Sequence, residues 1–135
     1  AGDTVLLYSG NMGLGHTLRE FVEAASRLAQ RPDIRWAFAG GGRRADEAAA
    51  AASRAGSRVE TLPAVPAGAL EAHLASGDVH LVSLRASWTG CMVPSKLQAA
   101  FAVGRPVVAV AAPGSSLGQW IRESGGGWVE LPKLD

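Results

Sequence analysis

Six short apolar runs alternate along this chain with longer segments of helical period, and no other feature narrows the possible folds so far. The runs are Thr4–Ser9, Ile34–Ala39, Arg58–Leu62, Val79–Leu84, Pro106–Ala111 and Gly127–Leu131. Short strands separated by helices read as strand-helix-strand units, which build a parallel sheet with helices packed on both faces. The periodicity predicts helices over Thr17–Gln30, Arg44–Ala55, Ala67–Ala75, Ser95–Val103 and Ser116–Ser124. In the first, Leu18, Phe21, Val22, Ala25 and Leu28 form one stripe, while Arg19, Glu20, Glu23 and Arg27 face away and Arg31-Pro32 ends the pattern. The second is alanine-rich, so propensity carries it, with Gly56 expected as its cap.

Right-handed crossovers at every step make such a sheet doubly wound and Rossmann-like, with 3-2-1-4-5-6 the expected strand order. The first and fourth strands then lie side by side where the order reverses. Ligands of open α/β sheets bind at that point, beyond the carboxyl ends of the strands.

Both of those strands run into loops suited to an anion. Ser9-Gly10-Asn11-Met12-Gly13-Leu14-Gly15-His16 joins the first strand to its helix: Gly10, Gly13 and Gly15 remove Cβ atoms, Thr17 can cap, and the His16 ring N–H is within reach of a phosphate oxygen. Taken alone, this loop is equally a tight glycine turn, and Asn11 suits a turn role. After the fourth strand, Pro94-Ser95-Lys96 combines a rigid helix start, a capping hydroxyl and a cation, with Arg85 just beyond the strand. On their own, Ser95 and Lys96 read as a simple cap and a solvated charge; their place at the expected switch point favours an anion site.

Composition limits the partners. Thirteen Lys plus Arg against twelve Asp plus Glu give a net charge of +1, too balanced for nucleic-acid binding. At 135 residues, 47% of them hydrophobic, the chain fits one domain with a sizeable core. A single cysteine, Cys91, excludes an internal disulfide, and three His are too few for a structural zinc site in any usual spacing. No metal and no cofactor are expected. No apolar run is long enough to cross a bilayer and no signal-type start is present, so a cytoplasmic location is expected. The sequence opens two residues before a strand and stops just after another, the pattern expected of a domain excised from a longer chain.

Several chemistries find no residues. No Gly-Lys-Ser/Thr follows a glycine run, which excludes a P-loop, and no Ser, His and carboxylate trio stands at triad spacing. The dinucleotide fingerprint fails at Leu18, where a glycine should stand. Arg43 and Arg44 after the second strand nevertheless suit a 2′-phosphate, so an NADP-binding oxidoreductase domain is an alternative. Asp78 is expected to close the turn before the fourth strand, His80 to be a satisfied half-buried side chain, and Trp36 to be core. Trp88 either covers a sugar or base or seals its loop.

Together, YSGNMGLGH, FAGGG, Leu62-Pro63, DVHLVSLR and PSKLQAAFAVGRPVVAV resemble, in register over almost the whole chain, the C-terminal half of GT-B-fold, family 4 retaining glycosyltransferases. The resemblance is to the bacterial polysaccharide and lipid-linked-glycan branch. It implies a donor half that binds a nucleoside diphosphate sugar without a metal. It also implies a separate N-terminal acceptor-binding domain and an acceptor at the inner face of the membrane. By position, Gly10, Asn11, Gly13, Gly15 and His16 line the diphosphate and sugar. Pro63 and Ala64 lie by the base, and Ser95, Lys96 and Arg85 serve the diphosphate, Lys96 and Arg85 in a catalytic role. Two glutamates common in the family are replaced here by Cys91 and Ala99, and the usual basic residue of the first loop by Leu14. A noncatalytic domain that keeps the fold after losing that pair is a third reading.

Overall fold

The computed structural model describes residues 3–10, 12, 18–83, 100, 102–111, 116–125 and 127–130. The elements are β1 (Thr4–Ser9), α1 (Arg19–Arg27), β2 (Ile34–Ala39), α2 (Ala45–Ala52) and β3 (Val59–Leu62). A 3-10 turn, Ala67–Ala69, leads into α3 (Leu70–Ala75), followed by β4 (Val79–Ser83), β5 (Val107–Val110), α4 (Ser116–Ser124) and β6 (Gly127–Glu130). All six strands are parallel in one sheet of order β3-β2-β1-β4-β5-β6, the expected order. β1 pairs with β2 from Thr4↔Ile34 to Ser9↔Ala39, and with β4 at Leu6↔Val79 and Leu7↔His80.

Alternation along the strands sorts side chains to two faces. Tyr8, Trp36, Phe38, Leu81 and Val110 pack against Phe21 and Ala25 of α1 and Ala48 and Ala51 of α2. The Tyr8 ring lies 5.9 Å from Phe38 and 6.3 Å from Phe21, so three aromatics from β1, β2 and α1 seal this layer. On the other face, Leu7, Ala37 and Ala39 form one cluster and Val82, Ala100, Val107, Ala109, Ala111 and Ile121 another. The expected stripe of α1 is seen: Leu18, Phe21 and Ala25 are buried, Val22 and Leu28 half-buried.

The departures have local causes. α2 stops at Ala52, not Ala55, because the Ser53 hydroxyl donates to the Ala50 carbonyl at 2.9 Å and turns the chain before Gly56. The helix expected over Ala67–Ala75 begins as a 3-10 turn and becomes α-helical only at Leu70. Of the helix expected over Ser95–Val103, Ala100 and Ala102 are helical and Gly104 follows at φ +71°; positions 95–99 and 101 lie outside the described residues. Among the described residues no helix is long and apolar enough to cross a membrane.

Asp78 does not close the preceding turn as expected. Its carboxylate accepts the Val5 N–H at 2.8 Å while its own N–H donates to the Val5 carbonyl at 2.9 Å, tying β1 to the start of β4. At Val5 β1 runs below the first residue of β4, so a side chain replaces the missing ladder bond. Trp36 is core, and His80 is buried and satisfied, with its ring Nε2–H donating to the Leu74 carbonyl at 2.8 Å. Because a carbonyl only accepts, that contact places the proton on Nε2.

Burial holds the His80 imidazole below its ordinary value near 6.5; the Leu74 hydrogen bond opposes this, and the Arg105 and His73 charges add to it. The unfolded chain therefore binds more protons than the fold as pH falls through that value, so stability is constant above it and declines below. The urea midpoint is expected to be lower at pH 5.5 than at pH 7.5, with a smaller drop in His80→Asn. An equal drop in both would assign the loss to other groups.

Candidate functional site

At the carboxyl rim of the sheet, Ser9 and Gly10 after β1, Ala39, Gly40 and Gly41 after β2, Ala64 and Val65 after β3, and Leu70 of α3 line a cleft of about 380 Å³. Its two walls differ in construction. One is formed by two strand ends and lacks Cβ atoms at Gly10, Gly40 and Gly41; the other is the connection from β3 into α3, with Leu70 half exposed above it.

The backbone wall exists because two glycines meet. A Cβ on Gly40 would stand 2.2 Å from the Gly10 carbonyl oxygen, and both residues have positive φ, +127° at Gly10 and +115° at Gly40. Three backbone bonds then stitch the β1 loop to the β2 loop: Gly10 N–H to Ala39 O at 2.9 Å, Met12 N–H to Gly41 O at 2.8 Å, and Arg44 N–H to Met12 O at 2.8 Å. The amides of Gly10 and Met12 are thus engaged within the fold. Gly10 contributes a flat, Cβ-free surface rather than an anion-binding N–H.

Polar groups support this rim from both faces of the sheet. Beneath the loops, the Tyr8 phenol is buried and hydrogen-bonded to Ser83; burial pushes it above its ordinary value, opposed by Ser83 and the Arg44 charge, so it stays neutral. Arg44 holds Glu47 at 3.1 Å, side chain largely covered. On the opposite face, Ser9 Oγ and His73 Nε2 are 2.9 Å apart, joining the end of β1 to α3.

Of the positions expected to bind, Gly10 and Ala64 fall on opposite walls of this cleft, and exposed Pro63 adjoins Ala64 just outside its lining. Asn11, Gly13, Gly15, His16, Arg85, Ser95 and Lys96 lie outside the described residues, as do Leu14, Trp88, Cys91 and Ala99. β1 and β4 are neighbours, as the expected switch point requires. Sequence reasoning named Ser9 only as the start of the first loop and Gly40 and Gly41 only within FAGGG, and it missed His73, Val65 and Leu70. The FAGGG run after β2 was a usable signal, whereas no local pattern announces that Ser9 meets a residue sixty-four positions later. A larger open hollow, about 550 Å³, lies at the amino ends of β5 and β6 between Arg105 and the exposed Trp128, on the rim opposite the one where such sheets bind ligands.

Comparison with known proteins agrees with this geometry. The family described as "Glycosyl transferases group 1" matches residues 3–130. The chain is 36% identical over 115 residues to WcaI of Escherichia coli (strain K12), named as a colanic acid biosynthesis glycosyl transferase; the match covers 85% of this chain and 28% of that protein. Among solved structures, HepE from Anabaena in complex with UDP-glucose superposes with a TM-score of 0.72 at 19% identity, covering 99% of this chain and 36% of HepE. WaaG, a glycosyltransferase involved in lipopolysaccharide biosynthesis, superposes with a TM-score of 0.68 at 18% identity, covering 99% and 35%. The chain therefore spans about a quarter to a third of the length of the proteins it matches.

Gly40→Ala places a Cβ inside the Gly10 carbonyl and strains a positive φ. It is expected to lower unfolding free energy by about 1–3 kcal/mol. Urea denaturation checks it, and a variant as stable as wild type would show that the two loops separate freely.

Proposed function

The chain belongs to the group 1 glycosyl transferases, and from that premise we propose that it is the donor-binding half of a retaining hexosyltransferase. The enzyme moves a sugar from a nucleoside diphosphate sugar to a glycan or lipid-linked acceptor. The observation that carries this reading is the glycine-walled cleft at the carboxyl rim, beside the β1–β4 switch point of a 3-2-1-4-5-6 sheet. Since the chain spans 28% of WcaI's length, the acceptor site is assigned to a separate N-terminal domain of the same protein.

The chemistry asked of this half is limited. Departure of a nucleoside diphosphate leaves two phosphates of growing negative charge, and preorganised cations and helix N-termini stabilise that charge as the glycosidic bond breaks. In this proposal Lys96 and Arg85 neutralise the leaving diphosphate, Ser95 caps beside it, and Asn11, Gly13, Gly15 and His16 orient the diphosphate and sugar. Pro63 and Ala64 lie along the base. The cations leave no required role for a metal. Cys91 and Ala99, where the family often carries glutamates, shift ribose and sugar recognition onto other contacts.

The family match favours this reading over an NADP-binding or a noncatalytic domain. Against the former, Arg44 is drawn to Glu47 and its amide to Met12, so only the exposed Arg43 faces solvent where a 2′-phosphate would lie.

A thermal-shift panel of UDP, GDP, ADP and NADPH tests the assignment. One nucleoside diphosphate at about a hundredfold its dissociation constant is expected to stabilise the fold by roughly 2.7 kcal/mol. A response to NADPH alone, or to nothing, would refute the proposal. Lys96→Ala is expected to weaken that diphosphate by about 1.5–3 kcal/mol, the range of a charge-assisted bond. Unchanged affinity by calorimetry would remove Lys96 from the site.

A further inference from the structure

The six-residue helix α3 is too short to hold itself together by its own hydrogen bonds. Its position comes from side chains beneath it. At its carboxyl end, the His80 ring donates to the Leu74 carbonyl at 2.8 Å, and the Arg105 guanidinium to the Ala75 carbonyl at 2.8 Å. These contacts satisfy carbonyls that a helix end leaves without partners. Gly77 lies close against Leu7, where a Cβ would stand 2.6 Å from the Leu7 Cβ, so the exit of the helix is pressed onto β1. Among the described hydrogen bonds, the one that joins this helix to the end of β1 is the 2.9 Å contact between His73 Nε2, in its last turn, and Ser9 Oγ.

That tie sits on the cleft. Ser9 is the last residue of β1 and itself lines the cleft, one residue before Gly10. His73 follows Leu70 by three residues and so shares its side of the helix, and Leu70, with Ala64 and Val65, forms the wall opposite the glycines. The Ser9–His73 bond therefore spans from one wall to the support of the other. Nothing comparable ties residues 63–69 directly to β1 among the described hydrogen bonds.

We propose that His73 is a positioning residue for donor binding: through Ser9 it fixes the spacing between the Gly10–Gly41 wall and the 64–70 wall of the cleft. It thereby holds the nucleoside part of the donor rather than its pyrophosphate. The inference rests on the donor-binding reading and adds which residue sets the width of that site. Loss of the bond lets the side of α3 that carries Leu70 and the 64–70 wall shift outward, while its carboxyl end stays held by His80 and Arg105 and the strand ends by their own backbone bonds.

The test is calorimetry on the full-length chain with UDP, GDP and ADP, and with inorganic pyrophosphate, for wild type, His73→Ala, His73→Gln, Ser9→Ala and the double alanine variant. His73→Ala is expected to weaken the preferred nucleoside diphosphate roughly three- to tenfold and to leave pyrophosphate unchanged. His73→Gln, which keeps a hydrogen-bonding amide, is expected to recover most of the loss. Ser9→Ala is expected to match His73→Ala, and the double variant to add nothing further, as two ends of one interaction require. Ser9→Ala keeps the test open if His73→Ala fails to fold, because it removes a single oxygen from a strand end. Wild-type affinity in both single variants overturns the inference alone, as does equal weakening of nucleotide and pyrophosphate, which a general loosening would produce. Absence of nucleoside diphosphate binding by the wild type overturns the donor reading and this inference with it.

Discussion

The placement of β1 between β2 and β4 is the constraint from which the rest of the molecule follows. A central parallel strand must offer its backbone to partners on both sides, and both of its faces must be covered. β1 meets this with Leu6 and Tyr8 toward α1 and α2, and with Val5, Leu7 and Ser9 toward α3. Strand order reverses beside it, so the crossovers that leave β1 and β4 diverge to opposite faces. A crevice at the carboxyl rim is the geometric result.

Around that strand the fold uses polar groups sparingly and where the ladder or a helix end needs completing. Asp78 supplies a carboxylate where β1 overhangs β4, His80 and Arg105 meet the last carbonyls of α3, and Ser53 closes α2. Each is a local repair of unpaired backbone, which a buried sheet cannot leave open. Ser9 and His73 differ from these, because they join side chain to side chain across the cleft walls.

The cleft itself is made by backbone proximity. Gly40 stands against Gly10 closer than any other residue type permits, and the two loops are laced by amide-carbonyl bonds. Where the wall is glycine it carries no Cβ, so a ligand can approach the main chain closely against a rigid surface. The amides of Gly10 and Met12 are already committed within the fold and are not free to bind an anion.

Local patterning by itself determined much of this protein. Alternation of short apolar runs with helical stripes set the element order, the single parallel sheet and the strand sequence, because handed crossovers leave few alternatives. The stripe on α1, the core place of Trp36 and the satisfied state of His80 were equally legible, since each depends on period or on the chemistry of one residue. The carboxyl end of α2 and the start of α3 were not, because Ser53 and the turn at Ala67–Ala69 compete with helical continuation by a few tenths to about one kcal/mol, below what propensity resolves. Tertiary structure alone decided that Asp78 reaches Val5 rather than its own turn, that Gly40 abuts Gly10, and that Ser9 finds His73. Such pairings join residues dozens of positions apart, and only the packing of strands and helices into one body fixes which of them meet.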